Sequence, residues 1–184
     1  MAGSLNQHVV TWARGKLGQK VGAGECWDLA DGALRAAGAS SSTTTGDDDD
    51  YVWGDSVIPA GALPGDIVQF RDYVATIDTT TDSTFADGSG STDEAEDVFE
   101  RPHHTGVIES VGPKGFVVLE QNVDPGGQKV QRHTLPFVSK TTITTVQKPM
   151  RTPSGGFRSA KVVVTVEVTV TGQLWVYRPQ RATK

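Results

Sequence analysis

Apolar residues at Leu5, Val9, Trp12, Ala13 and Leu17 recur three and four positions apart, and Gly18 closes the run. That is the spacing of one face of an amphipathic helix. A second helical run carries Leu29, Ala30, Ala33, Leu34, Ala36 and Ala37, ends at Gly38 as a C′ residue, and opens at Cys26. The pattern predicts a pair of N-terminal helices packed together. The period then shortens. Pro64-Gly65-Asp66 is a turn feeding a strand that begins Ile67-Val68-Gln69-Phe70. Arg101 to Val111 reads as a strand, Gly112-Pro113-Lys114-Gly115 as a hairpin link, and Phe116 to Leu119 as its partner, ending in Glu120-Gln121-Asn122. In the last third Val162, Val164, Val166, Val168 and Val170 alternate with mostly polar residues. A turn is expected at Thr171-Gly172, then a final strand Leu174-Trp175-Val176-Tyr177 stopping at Pro179. Residues 125–160 read as loops with short strand pieces. The expected class is α+β: helices packed on an antiparallel, partly barrel-like sheet, with extra C-terminal strands.

Two stretches have nothing to bury. Residues 39–50 are a polar, low-complexity loop, and residues 72–100 carry nine acids and no base, which reads as an acidic flexible insertion within one domain spanning 1–184. The four aspartates of 47–50 lack the spaced ligands and glycine of a calcium loop, so no metal is expected there. Tyr51-Val52-Trp53-Gly54 is an aromatic cluster that packs near the second helix or lines a cleft.

Composition narrows the function. A single cysteine excludes an internal disulfide and a thiolate-rich zinc site, and four scattered histidines offer no metal spacing, so neither metal nor cofactor is expected. No apolar run approaches the ~20 residues of a membrane span. The opening Met1 to Asn6 lacks the basic and apolar regions of a secretory signal. The expectation is a cytoplasmic protein, one exported without such a signal, or a domain of a longer chain. The net charge of −5 is uneven: fifteen of 22 acids lie between Asp47 and Glu100 with Arg71 as the only base, while 101–184 hold four acids against twelve Lys and Arg. Those bases are dispersed and lack interleaved aromatics, which argues against nucleic acid as a partner. A monomer is expected.

The candidate chemistry starts at Cys26. In the first turn of a helix it meets unpaired N–H groups and the positive end of the helix dipole, which favour a thiolate. Gly22 and Gly24 before it allow a sharp turn and close approach of a substrate. A lone cysteine is more often a small buried hydrophobe. His104 at the start of a strand supplies the missing base. Strand alternation puts Glu120 and Asn122 on one face at the end of the neighbouring strand, where a carboxylate or an amide reaches one ring nitrogen while the other faces Cys26. Gln19 offers a side-chain amide to an oxyanion hole beside the Cys26 N–H.

The ordered set Glu25-Cys26-Trp27-Asp28-Leu29-Ala30, Tyr51-Val52-Trp53-Gly54, Pro64-Gly65-Asp66, His104-Thr105-Gly106-Val107-Ile108-Glu109 and Glu120-Gln121-Asn122 resembles the CHAP family of cysteine amidases and endopeptidases, an NlpC-like branch of the papain-like superfamily. The resemblance implies Cys26 as nucleophile, His104 as general base, Glu120 as the residue orienting it and Asn122 as a fourth polar member, with His103 a spare. It further implies peptidoglycan, or a peptide, as substrate. The Val21-Gly22-Ala23-Gly24-Glu25-Cys26-Trp27 approach and the Gly172 to Pro179 ending are also similar to a cysteine-proteinase-fold domain at the C-terminus of fungal actin-patch proteins that bind myosin. That likeness implies a non-catalytic module with a protein partner. Deamidase or transglutaminase chemistry on proteins is a third reading of the same residues.

Overall fold

The computed structural model describes residues 4–43, 50–124, 126–152 and 155–183. They cluster into two compact units, one of residues 1–73, 100–137 and 171–184, the other of 74–99 and 138–170.

In the first unit α1 (Leu5–Arg14) starts at Ser4, whose side chain accepts from the Gln7 N–H, and buries Val9, Val10 and Ala13. The helix ends three residues before the expected Leu17, which instead forms a bridge with Val130. α2 (Cys26–Ala37) buries Leu29, Ala30, Ala33 and Leu34, and Gly38 terminates it in the left-handed conformation (φ 74°). Its buried stripe packs with Val9 and Ala13 of α1 and with Trp53, Ile67, Val107 and Leu119 in one core.

The strands of this unit are β1 (Asp55–Val57), the start of β2 (Ile67–Phe85), the end of β3 (Gly90–Gly112), β4 (Gly115–Glu120), β5 (Gln131–Leu135) and the end of β7 (Phe157–Arg178). Their order is β1-β7-β2-β3-β4-β5, and among the described residues the two ends do not pair. Two helices and a mostly antiparallel sheet are therefore present, and the sheet does not close into a barrel. β3 and β4 form the expected hairpin, Gly112 opposite Gly115, with a register shift between Ile108 and Ser110. The Pro-Gly-Asp turn is more than a turn. Asp66 is fully buried, receives Leu63 N–H at 2.8 Å and Asn6 Nδ2 at 2.6 Å, and pairs with Arg178 at 2.9 Å. It ties α1 and the last strand to the entrance of β2.

The second unit consists of the rest of β2 and β3, β6 (Lys140–Arg151) and the first part of β7. Here the structure departs from the sequence reading. Residues 74–85 and 90–99 are strand where an acidic flexible insertion was expected. Residues 140–151 are one twelve-residue strand in register with β7, from Lys140 opposite Val168 to Arg151 opposite Phe157. The threonines of this region are β-branched and suit a pleated ladder even where neither face is buried. Thr171-Gly172 is not a turn, because β7 runs through it. Gly172 has φ 77° and lies so close to β2 that a Cβ would stand 2.0 Å from the Asp72 carbonyl oxygen.

Candidate active-site-like cluster at Cys26 and His104

Cys26 is the first residue of α2 and lies three and four positions before the buried Leu29 and Ala30, so its side chain belongs to the stripe that faces the sheet. The approach is held in two ways. Asp28 accepts the N–H groups of Gly24 and Glu25, both at 3.0 Å, closing the helix start. Gly22, at φ 58°, passes so near that a Cβ would stand 2.6 Å from Asp28 Cγ. Gln121 holds the loop from the other side. Its amide, fully buried, accepts from Val21 N at 3.1 Å and donates to Val21 O at 3.0 Å and to Glu25 O at 2.6 Å.

His104 is 5% exposed, with the Phe70 ring 6.5 Å away and roughly parallel. Its Nε2 is buried and lies 3.0 Å from Glu120 Oε2, an ion-pair contact that falls short of a well-aligned hydrogen bond. Cys26 stands within hydrogen-bonding reach of the imidazole. Burial opposes the charged ring, but Cys26 and the neighbouring Glu120 outweigh it, and the His104 pKa is pushed up to about 9. The surroundings of His104 thus favour its charged form.

Glu120 is the hub. Arg101 grips it with two bonds, Nε to Oε2 at 2.9 Å and Nη2 to Oε1 at 2.5 Å, and His133 Nδ1 lies 2.7 Å from Oε1. Burial acts to raise its pKa, and the Arg101 fork, His104 and His133 reverse that effect, holding the carboxyl well below its usual range. Gly106 makes room for this end of β4: a Cβ there would stand 2.3 Å from Val118 Cγ1 and 3.6 Å from Glu120 Cβ.

The structure therefore brings together Cys26, His104 and Glu120. Asn122 makes its hydrogen bond elsewhere. It has φ 62°, so the chain leaves the strand after Glu120 and the alternation that put both side chains on one face no longer applies; its amide donates to Glu25 Oε2 at 2.8 Å. The Gln19 amide donates to the Gly15 carbonyl at 3.2 Å. Sequence reasoning missed Arg101, His133 and Gln121. Arg101 and Gln121 are charged or polar residues beside quoted motif positions, which is a weak signal, and His133 carried none. Of the polar stretch 39–50, residues 44–49 lie outside the described residues, and with them three of the four aspartates; Asp50 pairs with Arg71 at 3.0 Å.

A chain of aromatic rings begins at Trp27, the residue after the cysteine. Trp27 and Trp53 have centroids 6.1 Å apart, Tyr51 meets Trp53 edge-on at 5.7 Å, and Tyr51 meets His103 at 5.3 Å. Trp53 is buried; Trp27, Tyr51 and His103 are half-buried.

A family model described as the AIM3/BBC1 cysteine proteinase-fold domain matches residues 1–183. The chain belongs to that family. Altered inheritance of mitochondria protein 3 of Debaryomyces hansenii is 32% identical over 138 residues, which cover 65% of this chain. The chain spans about 13% of that relative's length. No solved structure matches. The cysteine-proteinase fold inferred from the motifs is thus supported through the AIM3/BBC1 family, while the CHAP assignment and a peptidoglycan substrate have no support from these matches. Among the described residues no helix is long and apolar enough to cross a membrane.

Proposed function

We propose that this AIM3/BBC1 domain is a protein-binding module that has kept the cysteine-proteinase cluster as the floor of its recognition site. The observation that carries the reading is the contact between His104 and Glu120. A hydrolytic site needs its acid to hold the imidazole through an aligned hydrogen bond. Here both carboxylate oxygens are engaged by the Arg101 fork and one also by His133, so His104 shares its acid with two other partners. The half-buried rings of Trp27, Tyr51 and His103, linked through Trp53, suit an extended partner segment with apolar side chains. The small share of the D. hansenii relative that the chain spans fits a module within a larger protein.

Thiol-dependent amide chemistry is the second reading, favoured by the imidazole held against Cys26. One experiment separates the two. Peptides are selected from a displayed random library on the wild-type chain, and their affinity for wild type, Cys26→Ala and Tyr51→Ala is measured calorimetrically, with mass spectrometry of peptide and protein afterwards. A binding module gives equal affinity for wild type and Cys26→Ala, at least tenfold weaker binding to Tyr51→Ala, and intact peptide. Cleaved peptide or an acylated Cys26, absent in Cys26→Ala, overturns the reading in favour of catalysis.

A further inference from the structure

The second unit ends in two open sheet edges of opposite charge. Its strands lie in the order β6-β7-β2-β3, so β6 and residues 90–99 of β3 are the outer strands, and among the described residues neither has a strand on its outer side. Both are solvent-exposed almost throughout, the partial exceptions being Met150 and Phe99. The β3 edge reads Gly90-Ser91-Thr92-Asp93-Glu94-Ala95-Glu96-Asp97-Val98-Phe99, four acids and no base. The β6 edge reads Lys140-Thr141-Thr142-Ile143-Thr144-Thr145-Val146-Gln147-Lys148-Pro149-Met150-Arg151, three bases and no acid. Among the described residues Asp93, Glu96, Lys148 and Arg151 form no ion pair within the chain.

We propose that these edges pair between copies of this chain, residues 90–99 of one copy adding antiparallel to β6 of the next. Three matches fall in a single register. Placing Lys148 opposite Glu96 also places Arg151 opposite Asp93 and Val146 opposite Val98. Val146 and Val98 are 44% and 48% exposed; Ile143, 67% exposed on β6, falls opposite residue 101, outside the paired segment. Cross-strand pairs of opposite charge and of β-branched residues each stabilise a ladder. An open edge is ordinarily guarded, and Lys140, Lys148 and Pro149 are the residue types that guard it. Against a basic edge the lysines repel; against an acidic one they attract. Pro149 supplies no N–H, so the ladder is one donor short and the charges decide whether it forms. Because the two edges differ, the contact is heterologous and leaves a free edge on each end of a pair, so assembly passes beyond the dimer and grows with concentration.

Sedimentation velocity of the chain over a concentration series tests this, at low salt and at about 1 M salt, where the screening length falls to about 3 Å. The expected result is growth of oligomers with concentration at low salt and monomer at high salt. Lys148→Glu with Arg151→Glu puts acids opposite Glu96 and Asp93, and Asp93→Lys with Glu96→Lys puts bases opposite Arg151 and Lys148. Each double variant alone is expected to remain monomeric, and an equimolar mixture to assemble as the wild type does. All four positions are exposed, and circular dichroism checks that the variants keep their sheet content. A monomer at every concentration in low salt, wild-type assembly by either variant alone, or a mixture that stays monomeric overturns the proposal. So does an acidic extended peptide that binds β6 of a chain that does not self-associate.

Discussion

Glu120 shows how much one buried carboxylate can hold. Its charge is compensated by the Arg101 fork, and two histidines border it. Glu120→Gln removes the charge while keeping most of the shape, leaving the guanidinium of Arg101, which is 5% exposed, without its counter-ion. Removing one partner of such a buried pair costs about 3–5 kcal/mol, and chemical denaturation of the variant checks it. The same change lowers the His104 midpoint from about 9, because the neighbouring anion is lost; NMR titration of the imidazole reads it. Gln121→Ala tests a positional role. It strips three hydrogen bonds from Val21 and Glu25, and a loss of about 1–3 kcal/mol is expected, with faster amide exchange in residues 21–25. Cys26 and His104 were legible in the sequence because nucleophile and base are rare residue types in motif positions. Arg101 and His133 were not, because only the pairing of β4 with β3 and β5 sets them around one carboxylate.

At the scale of elements, local signals placed the helices and the hairpin well. Gly38, Cys26 and the three-and-four spacing bound α2, and Gly112 and Gly115 bound the β3–β4 turn. The same kind of signal misled at Thr171-Gly172. A glycine at positive φ ordinarily marks a turn, but this one lets β7 press against β2 within a continuous strand. Gly172→Ala must therefore strain the backbone and displace Asp72 and Tyr73. A loss of about 1–3 kcal/mol is expected in thermal or denaturant unfolding, with no change in helix content. The polar strands of residues 74–99 and 140–151 escaped the reading for a related reason. Hydrophobic alternation reports a buried face, and β6 has none.

For the whole molecule, the charged cluster makes stability depend on pH in a definite direction. The His104 pKa is raised on folding, so its contribution is complete below the unfolded value near 6.5 and is lost as pH rises through about 9. The Glu120 pKa is depressed, so its contribution is present above the unfolded carboxylate range and is lost as pH falls below it. The expected profile is a plateau between roughly pH 5 and 6.5 with a fall on either side. His104→Asn removes the alkaline fall attributable to the ring, which thermal unfolding at pH 6 and pH 10 measures; an unchanged alkaline fall would contradict the assignment.

What the sequence determined by itself was local and chemical: the two helices, the hairpin, the cysteine at a helix start, the histidine at a strand and the acid at the next strand's end. Each rests on residues close in the chain, where spacing, caps and turn chemistry act. The tertiary structure alone decided which of these residues meet. It bonded the Asn122 amide to Glu25 at one positive φ, enlisted Arg101, His133 and Gln121 from other positions, and turned two stretches without apolar pattern into sheet. Those outcomes depend on hydrogen-bond ladders and on compensating a buried charge, interactions between residues far apart in the chain that no periodicity records.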